Sequence, residues 1–170
     1  MMRTDLYWIE APWPGRLAIS SRPRGGDWLE DEVRSWQRAD FDVVVSLLTS
    51  DEITGLDLTQ EGKLCQDYGL QFISFPIVDR NVPSSKRIAV ELVRKLDETL
   101  TAGKRVVIHC RQGIGRAALI AAALLVSSGV DPETAFHQIS AARGVAVPET
   151  PEQRKWVKDF AREFAAKIKV

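Results

Sequence analysis

Residues 105–129 constrain the fold more than any other stretch of the chain. Arg105–His109 is a β-branched strand that runs into Cys110. A loop follows, Arg111-Gln112-Gly113-Ile114-Gly115-Arg116, and Ile114–Ser128 reads as an Ala/Leu-rich helix stopped by Gly129. A strand this apolar is buried, and a strand–tight loop–helix unit implies a sheet with helices packed on it. The thiol at the junction sits at the mouth of a ring of backbone amides and at the positive end of a helix. Both features lower a thiol pKa and attract phosphate.

The rest of the chain alternates in the same way. Leu6–Glu10 and Arg16–Ser20 are predicted strands joined by the turn Pro12-Trp13-Pro14-Gly15. Asp27 and Glu30 have the form of a capping box opening a helix to about Ala39. Asp42–Leu48 has the composition of a fully buried strand. A short loop and a helix centred on Gln60–Tyr68 follow, and Gln71–Val78 is the next strand. Pro83-Ser84-Ser85 starts a helix to about Leu100, and Asp131-Pro132 caps another. Thr150-Pro151-Glu152-Gln153 caps the last helix, with Trp156, Val157, Phe160, Phe164 and Ile168 on one stripe. With no internal repeat or linker, residues 1–170 are expected to form one α/β domain. Its centre is a mainly parallel, twisted sheet of about five strands, with helices on both faces.

Composition narrows the function by exclusion. The chain has 170 residues with equal numbers of acidic and basic side chains, so no global field favours nucleic acid or an anionic membrane. Any anion site must be local. No apolar run is long enough to span a bilayer, and Met1–Glu10 lacks a signal-peptide pattern. Two cysteines make no disulfide framework, so a reducing, cytoplasmic setting is expected. Two histidines, 109 and 137, supply no metal-ligand set, and no metal or cofactor is expected.

Five residues separate Cys110 from Arg116, and the context gives that spacing its meaning. Gly113 and Gly115 can turn successive N–H groups inward into an anion-binding nest, and Arg116 can grip phosphate oxygens with two parallel N–H bonds. The plainer alternative is a buried, inert structural thiol. Gly113-x-Gly115-x-x-Ala118 also satisfies a dinucleotide fingerprint. That motif needs an acidic residue about 20 positions on at a strand end, whereas Asp131 caps a helix. Cys65 has no comparable surroundings and reads as core filler, with a redox partnership to Cys110 as the alternative.

His109-Cys110-(five residues)-Arg116 resembles the signature of the cysteine-dependent protein phosphatases, especially their small dual-specificity branch. Phe75-Pro76-Ile77-Val78-Asp79-Arg80-Asn81-Val82-Pro83 is similar to the segment that carries that family's general acid, and Asp79 precedes Cys110 by 31 residues. Ser21–Leu29 and Val147–Gln153 also look like bacterial members. The resemblance implies a dual-specificity-phosphatase-like fold and a metal-independent phosphomonoesterase with protein-tyrosine-phosphatase activity, working through a phosphocysteine. Cys110 would be the nucleophile, Arg116 the phosphate clamp and Asp79 the acid and then base. Arg111, Gln112, Gly113, Ile114 and Gly115 would cradle the substrate phosphate. His109 and Arg80 are supporting candidates, His109 as a loop-fixing hydrogen-bonder or a satisfied core residue. Gln153 is either a water-orienting residue or the N3 member of the Thr150 capping box. Arg143 is a loop buttress or a solvated charge. The expected partner is a phosphorylated protein or small phosphoester, with no nucleic acid or membrane, and the chain is expected to act as a monomer.

One departure stands out. The family usually has Ser or Thr after the arginine, and this chain has Ala117 followed by Ala118. The missing hydroxyl normally stabilises the departing thiolate. The resemblance therefore also admits a catalytically weak or inactive phosphoprotein-binding relative.

Overall fold

Five strands form one sheet in the order β1-β2-β5-β3-β4, where β1 is Leu6–Ile9, β2 Arg16–Ser20, β3 Val43–Ser46, β4 Gln71–Ser74 and β5 Arg105–His109. The computed structural model describes residues 4–10 and 12–168, the side chains of residues 165–168 excepted. Only β1 runs antiparallel; β2, β5, β3 and β4 are mutually parallel. The expected α/β architecture is thus present, and β5 lies at its centre.

Alternation along the central strands builds two cores. Leu17, Ile19, Val43, Val45, Val106 and Ile108 face one cluster, and Ala18, Val44 and Val107 face the other. Burying both faces explains the uninterrupted Val/Ile runs, each such side chain contributing about 1.5–3 kcal/mol. Helices α4 (Lys86–Thr101), α5 (Arg116–Ser127), α6 (Pro132–Arg143) and α7 (Pro151–Ile168) cover the first face. Helices α1 (Leu29–Arg38) and α3 (Glu61–Asp67) cover the second. Every side chain of α5 from Arg116 to Val126 is buried, because it is wrapped by α4, α6 and α7 as well as the sheet. On α7 the rings of Trp156, Phe160 and Phe164 stack in sequence, as their stripe predicts. The side chain of Ile168 lies outside the described residues.

Local chemistry moved several boundaries. The Asp27–Glu30 capping box does not form: a 3-10 turn over Gly26–Trp28 leads into α1 with no side-chain cap bond. Strand β4 stops at Ser74, although Phe75 and Ile77 still donate to the carbonyls of Ser46 and Leu47 (2.8 and 3.0 Å). Pro76 has no N–H, which breaks the ladder there. Helix α4 starts after Pro83-Ser84, with the Ser85 hydroxyl accepting from Ile88 N–H. Helix α5 starts at Arg116, which leaves Ile114 and Gly115 in the loop. A short helix, α2 (Ser50–Gly55), fills what was expected to be loop, and a Thr49–Glu52 capping box opens it.

Candidate active site

The loop 110–116 emerges from the C-terminal end of the central strand, where open parallel sheets bind their ligands. Cys110 follows β5 and is 2% exposed. Its Sγ accepts from the backbone N–H of Gly113 (3.2 Å) and of Ala117 (3.4 Å). Two backbone donors thus converge on one sulfur, and the second comes from the first turn of α5.

The loop is held from several sides. Gly113 has φ +75°, and a Cβ there would lie 2.9 Å from the Ser20 backbone, so only glycine fits. Arg22 N–H donates to the Arg111 carbonyl at 3.2 Å. Arg143 donates to the Gln112 carbonyl at 3.2 Å while its guanidinium lies 4.2 Å from the centre of the Tyr7 ring. Arg143 is therefore a buttress of the loop.

Arg116 is 1% exposed, and its partners define the site. Nη1 donates to Glu52 Oε1 (2.7 Å) and to the Ile77 carbonyl (2.8 Å), and Nη2 donates to Glu52 Oε2 (3.0 Å). Asp79 Oδ1 is 3.2 Å from Nη2, although half of the Asp79 side chain is exposed. Burial alone would raise the Glu52 carboxyl, but hydrogen bonds from Arg116 and Thr49 outweigh it and hold the group below the usual carboxylate range. Burial likewise works against the Arg116 charge, and Glu52, Cys110 and Asp79 more than restore it.

Glu52 was not singled out from the sequence. Its only signal there is the Thr49-x-x-Glu52 spacing, and Glu52 uses Oε1 both to accept from Thr49 N–H (3.1 Å) and to hold Arg116. The helix cap and the arginine clamp are thus one carboxylate.

The Asp79–Asn81 segment is tethered more lightly. Arg80 sits at φ +63°, a left-handed conformation uncommon for a side chain of this size, and its Nη1 is 3.3 Å from Glu149 Oε2. Gln153 is fully buried. It forms the expected capping box, with Thr150 N–H donating to Gln153 Oε1 (3.2 Å) and Gln153 N–H to Thr150 Oγ1 (3.1 Å). Its Nε2 also donates to the Asn81 carbonyl at 3.0 Å, two residues beyond Asp79. The amide thus steadies the loop that carries Asp79.

Cys110, Arg116, Asp79, Arg80, Gln112, Ile114, Gly115 and Glu149 line a cleft of about 180 Å³. Sequence reasoning did not select Glu149. Of the candidates, Arg111 and Gly113 belong to the loop but not to the cleft wall. Arg111 is half exposed, with Nη1 3.9 Å from Glu52 Oε2. His109 turns away from the loop: its Nε2 pairs with Glu61 Oε2 at 2.6 Å on the α1/α3 side of the sheet. Ala117 is buried and offers the sulfur only its N–H. Cys65 belongs to the cluster on the opposite face from Cys110, and burial and then Glu61 push its thiol up, so core filler describes it. A larger cleft, of about 760 Å³, lies around Trp8, Trp13, Arg16 and Gln138, at the opposite end of the parallel strands.

A buried thiol beneath backbone amides, a clamped arginine and an adjacent carboxylate are the parts expected of a cysteine-dependent phosphatase. Residues 20–130 match the family model described as a DSP-PTPase phosphatase of polymorphic toxin systems. The chain belongs to that family. Among curated relatives, this DSP-PTPase phosphatase chain is 30% identical over 105 residues to cyclin-dependent kinase inhibitor 3 of Rattus norvegicus, covering 61% of this chain and 49% of that protein. The chain spans about half the length of the curated relatives it matches. The solved structure of kinase associated phosphatase, with its catalytic-site cysteine replaced by serine, superposes with a TM-score of 0.88. It covers 98% of both chains at 20% identity, a likeness of fold. Tk-PTP in its active form has a TM-score of 0.74 and 30% identity, over 92% of this chain and 96% of that one.

Proposed function

We propose that the chain is a metal-independent phosphomonoesterase acting through a phosphocysteine, on proteins phosphorylated at tyrosine, serine or threonine. The observation that carries this is Cys110 Sγ with two backbone N–H donors, in one cleft with Arg116 and Asp79. Cys110 attacks phosphorus in line, forming the S–P bond as the P–O bond to the leaving group breaks. Arg116, gripped along one side by Glu52, and the loop amides hold the equatorial oxygens. Bound phosphate displaces Asp79 from Nη2; its carboxyl, freed from the guanidinium, takes up a proton from solvent and gives it to the leaving oxygen as the P–O bond breaks. Asp79 then takes a proton from water as that water attacks phosphorus, and the S–P bond breaks to return thiolate and inorganic phosphate. Acid–base help of this kind is worth about 10²–10⁴-fold.

A small cleft with one exposed wall supports protein substrates of more than one phosphorylated residue type. Its floor must accept phosphate, while the exposed Asp79–Arg80 wall leaves room for short and long side chains alike. A thiolate nucleophile also calls for a reducing compartment, which fits a cytoplasmic, monomeric enzyme. Hydrolysis of an aryl phosphate in EDTA by wild type and Cys110→Ser tests the mechanism. Activity kept by wild type and lost by the serine variant is expected; activity kept by the serine variant, or lost on chelation, contradicts it.

Ala117 supports a second reading, a relative that binds and accepts phosphate but releases it slowly. The residue touches the sulfur through its N–H and has no hydroxyl to assist the departing thiolate. Pre-steady-state kinetics are then expected to show a burst, and Ala117→Ser to speed the following phase. No burst, with turnover unchanged in Ala117→Ser, excludes this second reading.

A further inference from the structure

Charge is sorted across the mouth of the cleft, and the sheet order is the cause. Strands β2 and β3 lie on either side of β5 and run parallel to it, so the last residues of all three share one register. The chain beyond β3 brings Glu52 to Arg116, and Asp79 reaches the same guanidinium from beyond β4. The chain beyond β2 is Ser21-Arg22-Pro23-Arg24, and it meets the other side of the loop. There Arg22 N–H donates to the Arg111 carbonyl, and the Ser20 backbone closes against Gly113. Arg143 reaches the Gln112 carbonyl on this side too, stacked on Tyr7 of β1. One flank of the loop is thus acidic and the other basic.

The basic flank is left largely uncompensated. Only Arg24 has a close carboxylate, Glu32 at 2.8 Å. Arg22 and Arg143 donate to the carbonyls of Pro23 and Gln112 and pair with no carboxylate among the described residues. Half-exposed Arg111 stands 3.9 Å from Glu52 Oε2, but both Glu52 oxygens already accept from Arg116, at 2.7 and 3.0 Å. Acidic and basic side chains are equal in number over the whole chain, so this flank is a local excess of positive charge. The mechanism above does not use it, since Arg116 and the loop amides suffice for the phosphate oxygens.

We propose that Arg22 is a specificity-determining residue: with Arg111 it forms a cationic rim that selects phosphorylated segments carrying an acidic residue beside the phosphorylated one. An extended segment advances about 3.3 Å per residue, so a carboxylate one or two positions away falls on the rim rather than in the cleft. Asp79, Glu52 and Glu149 repel it from the opposite flank, which fixes the direction in which the segment lies. Guanidinium groups suit the task, since each offers a planar pair of N–H donors to a carboxylate.

This inference rests on the phosphoprotein reading above, and its test is a binding measurement that needs no turnover. Fluorescent phosphotyrosine peptides flanked on both sides by Asp, or by Asn as the neutral match, are titrated into the Cys110→Ser protein and followed by anisotropy. The Asp peptide is expected to bind about threefold to tenfold more tightly at low salt. Adding Arg22→Gln is expected to remove about threefold of that advantage and to leave the Asn peptide unchanged. Equal binding of the two peptides, or an equal loss on both in Arg22→Gln, overturns the proposal. Ionic strength serves if the double variant does not fold. The advantage of the Asp peptide should shrink as salt rises from about 0.05 to 0.5 M, and an advantage indifferent to salt overturns the proposal. Failure of the phosphatase reading would appear instead as no aryl phosphate hydrolysis by the wild type, with the discrimination between peptides intact.

Discussion

The two halves of the proposed catalytic cleft are built to different standards. The half proposed to accept phosphate, Cys110 with its loop and Arg116, is buried and multiply bonded. The guanidinium alone meets Glu52 twice, the Ile77 carbonyl and Asp79. The half proposed to transfer the proton, Asp79 to Asn81, is exposed and hangs on the Arg80–Glu149 pair and the Gln153–Asn81 bond. The difference follows the chemistry. Phosphate oxygens need donors already in place, because reorganising them during the reaction would forfeit the electrostatic gain. A general acid must meet leaving groups of several shapes and tighten only when substrate is bound.

Substitutions should separate the halves in a graded way. Cys110→Ser in the first half is expected to reduce kcat by about 10⁴-fold or more, and Arg116→Lys, which cannot imitate two parallel bonds, by about 10²–10³-fold. Asp79→Asn should cost about 10²–10³-fold with an alkyl leaving group and far less with a nitrophenolate, which departs without a proton. Equal losses on both substrates would place Asp79 outside acid catalysis. Glu52→Gln leaves a buried guanidinium with a weaker partner, so a loss of about 2–3 kcal/mol in denaturant unfolding is expected together with a raised KM.

Acid sharpens the role of Glu52. A carboxylate held below its usual range contributes stability above about pH 4.5 and loses it as pH falls through its folded-state value. The gap in Tm between wild type and Glu52→Gln should therefore be full near neutrality and close in acid; a gap independent of pH would assign the loss to packing. The smallest effect is expected at Arg80. Replacing this positive-φ residue with glycine relieves about 0.5–1 kcal/mol of backbone strain, with KM rising no more than a few-fold.

How far each half could be read from sequence tracks its chemistry. The strand–loop–helix at 105–127 announced itself through β-branched residues, paired glycines and an apolar helix, and there the structure departs only in running α5 from Arg116 to Ser127. Helix α2 did not, since six residues are too few to show a period, and its Thr49–Glu52 box was the sole sign. Glu52 and Glu61 lie on helical segments where a charged residue is ordinarily solvated, and only the fold turns them inward to Arg116 and His109. Strand β4 is shorter than its sequence predicts, although Phe75 and Ile77 continue to donate to the carbonyls beside β3. Pro76 interrupts the ladder without bending the chain away from β3.

Trapping of the phosphoenzyme is the most direct test of the central claim, that the buried half accepts phosphate on sulfur. Wild type and Asp79→Asn would be quenched in acid during turnover of an aryl phosphate in EDTA, and their peptides analysed by mass. A phosphate adduct on the Cys110 peptide, more abundant in the Asp79 variant, is the predicted result. Turnover with the adduct on another residue, or turnover persisting in Cys110→Ser, would contradict it.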